Sequence, residues 1–240
     1  MSLLEQASRL RSYFWRHGVG ASLRRARLGA RRALHSGHMA VFCCDLREEI
    51  AQPASPAQPF VVESVRTAAE LGPQRHQLMT SFWNPKLADR RILERFRKGA
   101  LLWLVMAGDQ LAGFGWTLRG ETIEPYYFPL AQDDVHLFDF HVFPEWRGRG
   151  INPFLVGSIL AALSREIHGR AFIEAAVWND AQLASLRKTP FRRLGTVRSC
   201  AVLGHTWISW TDEKAQMRMG SQPFDRMLGT AQRSDRRPMN

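Results

Sequence analysis

The chain has 240 residues, 45% of them hydrophobic and 23% charged, with a formal net charge of +11. That length suffices for one sizeable core, or a core with an appendage, and no apolar run approaches the roughly 18 residues of a membrane span. Glu5 stands where the apolar stretch of a secretory signal would begin, and Arg24-Arg25 is not followed by one, so a cytoplasmic protein is expected, at most peripheral to the inner face of a membrane.

Residues 1–38 hold eight arginines and one glutamate. They read as one or two basic helices over 4–34, broken at Gly18 and Gly20. "MAVFCCDL" (39–46) has the pattern of a short buried strand, and "AQPASPAQP" (51–59) is a proline-rich linker. From residue 60 the pattern alternates. "FVVESV" (60–65) is strand-like, and short helices follow. "KLADRRILERFRKG" (86–99) is an amphipathic helix with Leu87, Ile92, Leu93 and Phe96 inward and Gly99 as its stop. Residues 100–120 form two antiparallel strands joined at Ala107-Gly108-Asp109, and "VHLFDFHVF" (135–143) is another strand. "NPFLVGSILAALSREIHG" (152–169) is a helix with Ile151, Leu155, Ile159, Leu163 and Ile167 on one stripe. A strand (171–178), a short helix (180–188) and two closing strands (195–210) complete the series. The tail after Trp210 is polar and loosely ordered by this reading. The layout is therefore a basic helical extension with a short strand (1–50), a linker (51–59), a mixed α/β domain (60–210) and a tail (211–240). The three cysteines, Cys43, Cys44 and Cys200, fit neither a disulfide framework nor a zinc site.

The segment "HVFPEWRGRGINPF" (141–154) joins a strand to a helix. A helix start carries unpaired N–H groups and the positive end of a dipole. Asn152 reads as the N-cap and Pro153 as the first helical residue. Gly148 and Gly150 let an anion approach the backbone, and Arg147 and Arg149 add charge, so the segment reads as an anion cradle. A Walker loop is excluded because no Gly-Lys-Ser/Thr follows, and a dinucleotide fingerprint because Pro153 stands where its third glycine belongs.

With these surroundings, "VFPEWRGRGIN" resembles the acetyl-CoA-binding segment of the GCN5-related N-acetyltransferase (GNAT) superfamily, Arg/Gln-x-x-Gly-x-Gly/Ala preceded by Val-x-Pro-Glu-aromatic. Val142, Pro144, Glu145, Trp146, Arg147 and Gly150 match; Asn152 departs from the final Gly/Ala. Further on, Asn179 and Phe191 match the family's Asn and Gly-Phe positions, with Pro190 in place of the glycine, and the resemblance covers about residues 60–205. It implies a GNAT-like mixed sheet, flanked by helices, that splays after its fourth strand. Acetyl-CoA or another acyl-CoA would lie in the cleft as co-substrate. Its pantetheine would pair with the backbone at Phe140 to Val142, its pyrophosphate would meet the N–H groups of Arg147, Gly148, Arg149, Gly150, Ile151 and Asn152, and Asn179 would face the pantetheine or the sulfur.

Acyl transfer from a thioester to an amine needs a base, a stabilised oxyanion and a proton for the thiolate. Period two puts His136, Phe138, Phe140 and Val142 on one strand face, with Asp139 and His141 on the other. His136 stands where the family often carries its base, and is the leading candidate. The family's tyrosine acid is replaced by Leu186, leaving Tyr126 and Tyr127, from "ETIEPYYFPLAQDD", as candidate acids. The expected function is transfer of an acyl group to a primary amine of a small acceptor, for example an amino sugar in surface-polysaccharide assembly. A non-catalytic CoA- or partner-binding module on the same fold is the alternative. Residues 1–38 would meet an anionic membrane surface, the protein's own domain or the partner in a homodimer. Nucleic acid is the least favoured partner, because no binding motif accompanies the charge.

Overall fold

The computed structural model describes residues 37–56, 59–81, 85–123, 126–202, 205–212 and 217–219. The basic helices read at 4–34, and most of the tail, lie outside the described residues. The strands are β1 (His38–Asp45), β2 (Val61–Val65), β3 (Leu101–Ala107), β4 (Gln110–Arg119), β5 (Val135–Val142), β6 (Arg170–Ala176), β7 (Arg192–Val202), β8 (His205–Asp212) and β9 (Met217–Met219). The helices are α1 (Gln74–Thr80), α2 (Pro85–Arg97), α3 (Ile151–Leu163) and α4 (Asp180–Leu186), with short 3-10 turns at Ala68–Leu71 and Pro144–Trp146. From residue 60 onward the order matches the sequence reading. β8 runs past Trp210, and β9 pairs with it through Met219 and Ser209, so the start of the tail extends the sheet.

The strands form one mixed sheet in the order β2-β3-β4-β5-β6-β1-β7-β8-β9. The strand at 38–45 therefore does not stand apart with the extension: it is an inner strand, antiparallel to β6 on one side and β7 on the other. Its apolar residues suit cover on both faces, and Ala40 and Val41 are fully buried. The chain then crosses α3, where Ile50 N–H donates to Ser164 Oγ and Pro53 packs on Gly157.

Alternation divides the core between the two faces. On one, Leu137 of β5, with Ala171, Ile173 and Ala175 of β6, packs against the α3 stripe of Ile151, Leu155, Ile159 and Leu163; α3 ends at Leu163, short of the expected 169, and Ile167 joins the same core from the turn that follows. On the other, Leu102, Leu104, Phe114 and Trp116 meet Leu78 of α1 and Ile92 of α2, while Phe172 and Val41 meet Phe128 and Trp210. α2 presents Ala88, Ile92 and Arg95 inward, whereas Leu87, read from sequence as an inward residue, is 51% exposed. An arginine has taken an inward position because β5 offers it a carboxylate.

That carboxylate is Asp139. β4 pairs Phe114 with His141 but Trp116 with Phe138, so β5 carries one extra residue there. Asp139 sits in the left-handed region at φ 50, unusual for a residue with a Cβ. Arg95 pairs with it, its guanidinium 5.2 Å from the Trp116 ring centre and 5.3 Å from that of Phe138. The bulge corrects the face assignment made from strict alternation. His136 and Phe138 share the α2 face with Asp139 and His141, which stacks on Phe114, while Phe140 and Val142 pack toward α3.

β5 and β6 form the sheet's parallel pair, and they pair only at Val135–Leu137 with Ala171–Ile173. Beyond that point they part, and among the described residues the β6-facing edge of β5 from Phe138 to Val142 has no strand partner. Because β1 is an inner strand, a chain beginning at residue 60 should lose its cooperative urea transition, followed by circular dichroism, rather than behave as an intact domain.

Candidate active site

The opening between β5 and β6 leads to the N-terminus of α3. Gly150, at φ 76 and ψ 11, is the residue that caps α3, and Phe154 N–H donates to its carbonyl at 3.2 Å. Asn152 is therefore not the cap: a left-handed glycine begins the helix two residues earlier, and Pro153 falls inside the first turn, where its missing N–H costs no hydrogen bond. The Asn152 side chain instead donates to Ser185 Oγ at 2.8 Å, tying α3 to α4. Gly148 is also left-handed, at φ 79, and no atom lies within 4 Å of where a Cβ would stand on either glycine. The amides of Gly148, Gly150, Ile151 and Asn152 donate to no acceptor among the described residues.

These residues border a cleft of about 570 Å³. Phe140, Val142, Arg147, Gly148, Gly150, Ile151, Asn152 and Asn179, all candidates from sequence, line it; Arg149 does not, and its guanidinium lies 4.9 Å from the Trp146 ring centre. Arg147 Nε donates to the Val142 carbonyl at 3.1 Å, so this side chain lies along the open edge of β5. Asn179 caps α4, its Oδ1 accepting from Gln182 N–H at 3.3 Å. Sequence reasoning missed Gln182 and Ser185, which α4 presents to the cleft, and Lys188, which lies just past its end. The spacing Asn-x-x-Gln-x-x-Ser of a capped helix could have found the first two, since three residues return a side chain to the same helix face. Leu186, in the place of the family's tyrosine, is fully buried.

The catalytic candidates lie elsewhere. None of His136, Tyr126 and Tyr127 lines this cleft. His136 is 5% exposed, stacks on Phe138 with ring centres 5.3 Å apart, and meets the tilted ring of Tyr126 at 4.8 Å. Its Nε2 lies 2.9 Å from Glu174 Oε2, a β6 partner that the sequence reading did not single out. Its Nδ1 has no hydrogen-bond partner among the described residues. Burial, then the charge of Glu174, raises the Tyr126 pKa well above that of a free phenol, and Tyr127 moves the same way for the same causes. Both tyrosines are therefore protonated at neutral pH and placed to give a proton rather than take one.

His141 borders the cleft, and burial, then the positive charge of Arg147, holds its pKa below the ordinary histidine value, with Glu145 opposing. Burial pushes the thiols of Cys43 and Cys44 up to about 12 and about 11, so neither is a ready nucleophile. Among the described residues no cluster of His, Cys, Asp and Glu could hold a metal, and no helix is long and apolar enough to cross a membrane.

The chain belongs to the GNAT acetyltransferase family, whose model matches residues 69–188. No curated protein matches the sequence. Among solved structures, it is similar to an acetyltransferase from the GNAT family of Colwellia psychrerythraea at 9% identity and a TM-score of 0.48, covering 66% of this chain and 53% of that one. It is also similar to a GCN5-related N-acetyltransferase of Sphaerobacter thermophilus, at 14% identity and a TM-score of 0.44, covering 65% of this chain and 48% of that one. A protein of Staphylococcus epidermidis described as functionally unknown gives 13% identity and a TM-score of 0.44, covering 67% and 59%. The chain thus spans less than two thirds of each of these proteins.

The family generally uses acetyl-CoA. The residues at the α3 N-terminus fit it: open amides and two bare glycines for the pyrophosphate, an unpaired strand edge for the pantetheine, and Arg147 and Lys188 on the rim.

A pH dependence follows from His141. Its folded pKa lies below the unfolded value, so the stability tied to its neutral form is complete above the unfolded pKa, about 6.5, and is lost as pH falls through that value toward the folded one. The urea midpoint should therefore drop between pH 7.5 and 5.5 by more in the wild type than in His141→Phe, which keeps the ring stack on Phe114.

Proposed function

We propose that this chain is an acetyl-CoA-dependent N-acyltransferase that moves an acyl group to the primary amine of a small acceptor in a direct ternary complex. The observation that carries the reading is the parting of β5 from β6 directly beside the undonated amides of α3. One opening thus offers an anion cradle and a free strand edge. Acetyl-CoA supplies the thioester carbon. The amides of Gly148, Gly150, Ile151 and Asn152 hold its pyrophosphate, not that of Arg147, whose N–H already donates to the Pro144 carbonyl, while the Arg147 and Lys188 side chains add charge and the edge from Phe140 to Val142 aligns its pantetheine. The acceptor approaches from the α2 face, where the His136–Glu174 pair takes the proton the amine must lose. Tyr126 and Tyr127, held protonated, are the available donors for the departing thiolate. Small amines form the acceptor class, and the amino sugar of a surface polysaccharide is one member of it.

Thiol release from acetyl-CoA over a panel of amines tests the reading. Turnover with at least one amine is expected, and His136→Ala should lower kcat by about a hundredfold or more while leaving CoA affinity by calorimetry unchanged. CoA binding with no turnover on any amine would instead mark a non-catalytic CoA-binding module. The cradle has its own test: Gly150→Val should weaken CoA binding more than Arg149→Ala, because it strains a left-handed residue and crowds the amides, whereas Arg149 stacks outside the cleft. Equal small effects would remove the cradle.

A further inference from the structure

β4 carries a glycine that its own backbone does not require. Phe114 and Trp116 lie on the α2 face of this strand, and Gly113 and Gly115 alternate with them on the α3 face, where a Cβ on Gly113 would stand 3.5 Å from Ile151 Cγ2. Neither glycine has a positive φ, so conformational freedom does not explain them. The neighbouring strand explains Gly113, whose Cβ would stand 2.8 Å from the His141 carbonyl oxygen. A single side chain explains Gly115. A Cβ there would stand 2.5–2.8 Å from Cε1, Cδ1 and Cζ of Phe140, far inside van der Waals contact. Gly115 lies opposite the β5 bulge, and the Phe140 ring fills the space that the missing side chain leaves.

Three β5 residues line the α3 cleft, Phe140, His141 and Val142, and Phe140 is the one farthest along the strand from the cradle. From the cradle, β5 leads back to the rung of Leu137 with Ile173, where it rejoins β6. A coenzyme with its pyrophosphate on the α3 amides and its pantetheine along this edge therefore points its sulfur end toward Phe140. Whatever hangs on that sulfur meets an aromatic wall, half-buried and packed into the α3 core. The ring already rests on the Gly115 backbone and cannot sink further; it can be displaced only toward the open cleft. The absence of a side chain at Gly115 thus sets how far back the wall stands.

We infer that Phe140, seated on Gly115, limits the length of the acyl chain the cleft accepts, so that acetyl and other short acyl-CoA thioesters fit and medium-chain ones do not. The inference rests on the reading of the α3 cleft as the coenzyme site. Phe140 is the specificity-determining residue, and Gly115 is a positioning residue that acts through it.

Unreactive thioethers test the limit without any acceptor. CoA, S-ethyl-CoA, which has the length of the acetyl thioester, and S-hexyl-CoA are titrated into the full chain and followed by calorimetry. In an unobstructed apolar site each added methylene tightens binding about fourfold. Here S-hexyl-CoA should instead bind the wild type about tenfold more weakly than S-ethyl-CoA. Phe140→Ala should reverse that order and Phe140→Leu should narrow it, with the affinity for CoA itself unchanged. Gly115→Ala, which drives the ring into the cleft, should weaken S-ethyl-CoA about tenfold, and in the Phe140→Ala background it should have no effect. Equal or tighter binding of S-hexyl-CoA by the wild type overturns the inference, as does an order that survives both Phe140 substitutions. So does a Phe140→Ala variant that loses CoA as strongly as the thioethers, because the ring would then support the pantetheine rather than bound the chain. If the thioethers are discriminated yet no amine is acetylated, the limit stands and the transferase reading fails. If amines are acylated with equal kcat/KM from acetyl-CoA and hexanoyl-CoA, the limit fails and the transferase reading stands.

Discussion

The ion pair between Arg95 and Asp139 is the constraint on which the site's geometry turns. Asp139 occupies a backbone conformation that costs an ordinary residue free energy, and one extra residue in β5 shifts the phase of every side chain beyond it. Arg95 is 6% exposed, stacked against Trp116 and Phe138, and therefore cannot trade this carboxylate cheaply for water. The pair sits where the sheet changes from continuous to split. Before it, β5 is bonded to neighbours on both sides; after it, on one. Phe140 and Val142 turn toward α3 as a result, and His141 turns toward Phe114.

From this split follows a division of charge. Phosphate chemistry suits a helix start with bare amides and basic rims, and proton removal from an amine suits a carboxylate shielded by rings. The sheet keeps the two apart, with the α3 cleft on one face and the Glu174 region on the other. On the proposed reading the separation matters because a carboxylate at the α3 cleft would repel a bound pyrophosphate.

Much of this architecture was legible in the residues. The apolar stripe from Ile151 to Leu163 marked α3, Gly108-Asp109 marked the hairpin, and the run from Val142 to Gly150 marked the family. What alternation and capping preferences could not deliver were features set by tertiary partners. Gly150 outcompeted Asn152 as the cap because only a glycine adopts the left-handed start without strain, and Asn152 then found Ser185. The faces of β5 were misassigned because a bulge leaves no signature in a pattern of period two. Leu87 yielded its inward place to Arg95 because Asp139 lay opposite, a pairing across 44 positions of sequence. His136 was legible as a strand histidine beside the coenzyme segment. Its depth, and its bond to Glu174, depended on the parallel register of β5 with β6. The place of β1 was hidden for the same reason: a buried strand announces its burial and not its neighbours.

That place has a consequence for how the molecule is made. β1 leaves the ribosome before the other described strands, yet its two partners are β6 and β7, reached through Met39 with Ala176 and Val197. Its apolar faces must therefore wait, uncovered, while nearly all of the intervening chain is synthesised. Such late closure of distant contacts is slow, and it leaves an adhesive strand available to other chains in the meantime. The fold thus carries a window of vulnerability that ends only when β6 and β7 arrive to enclose β1.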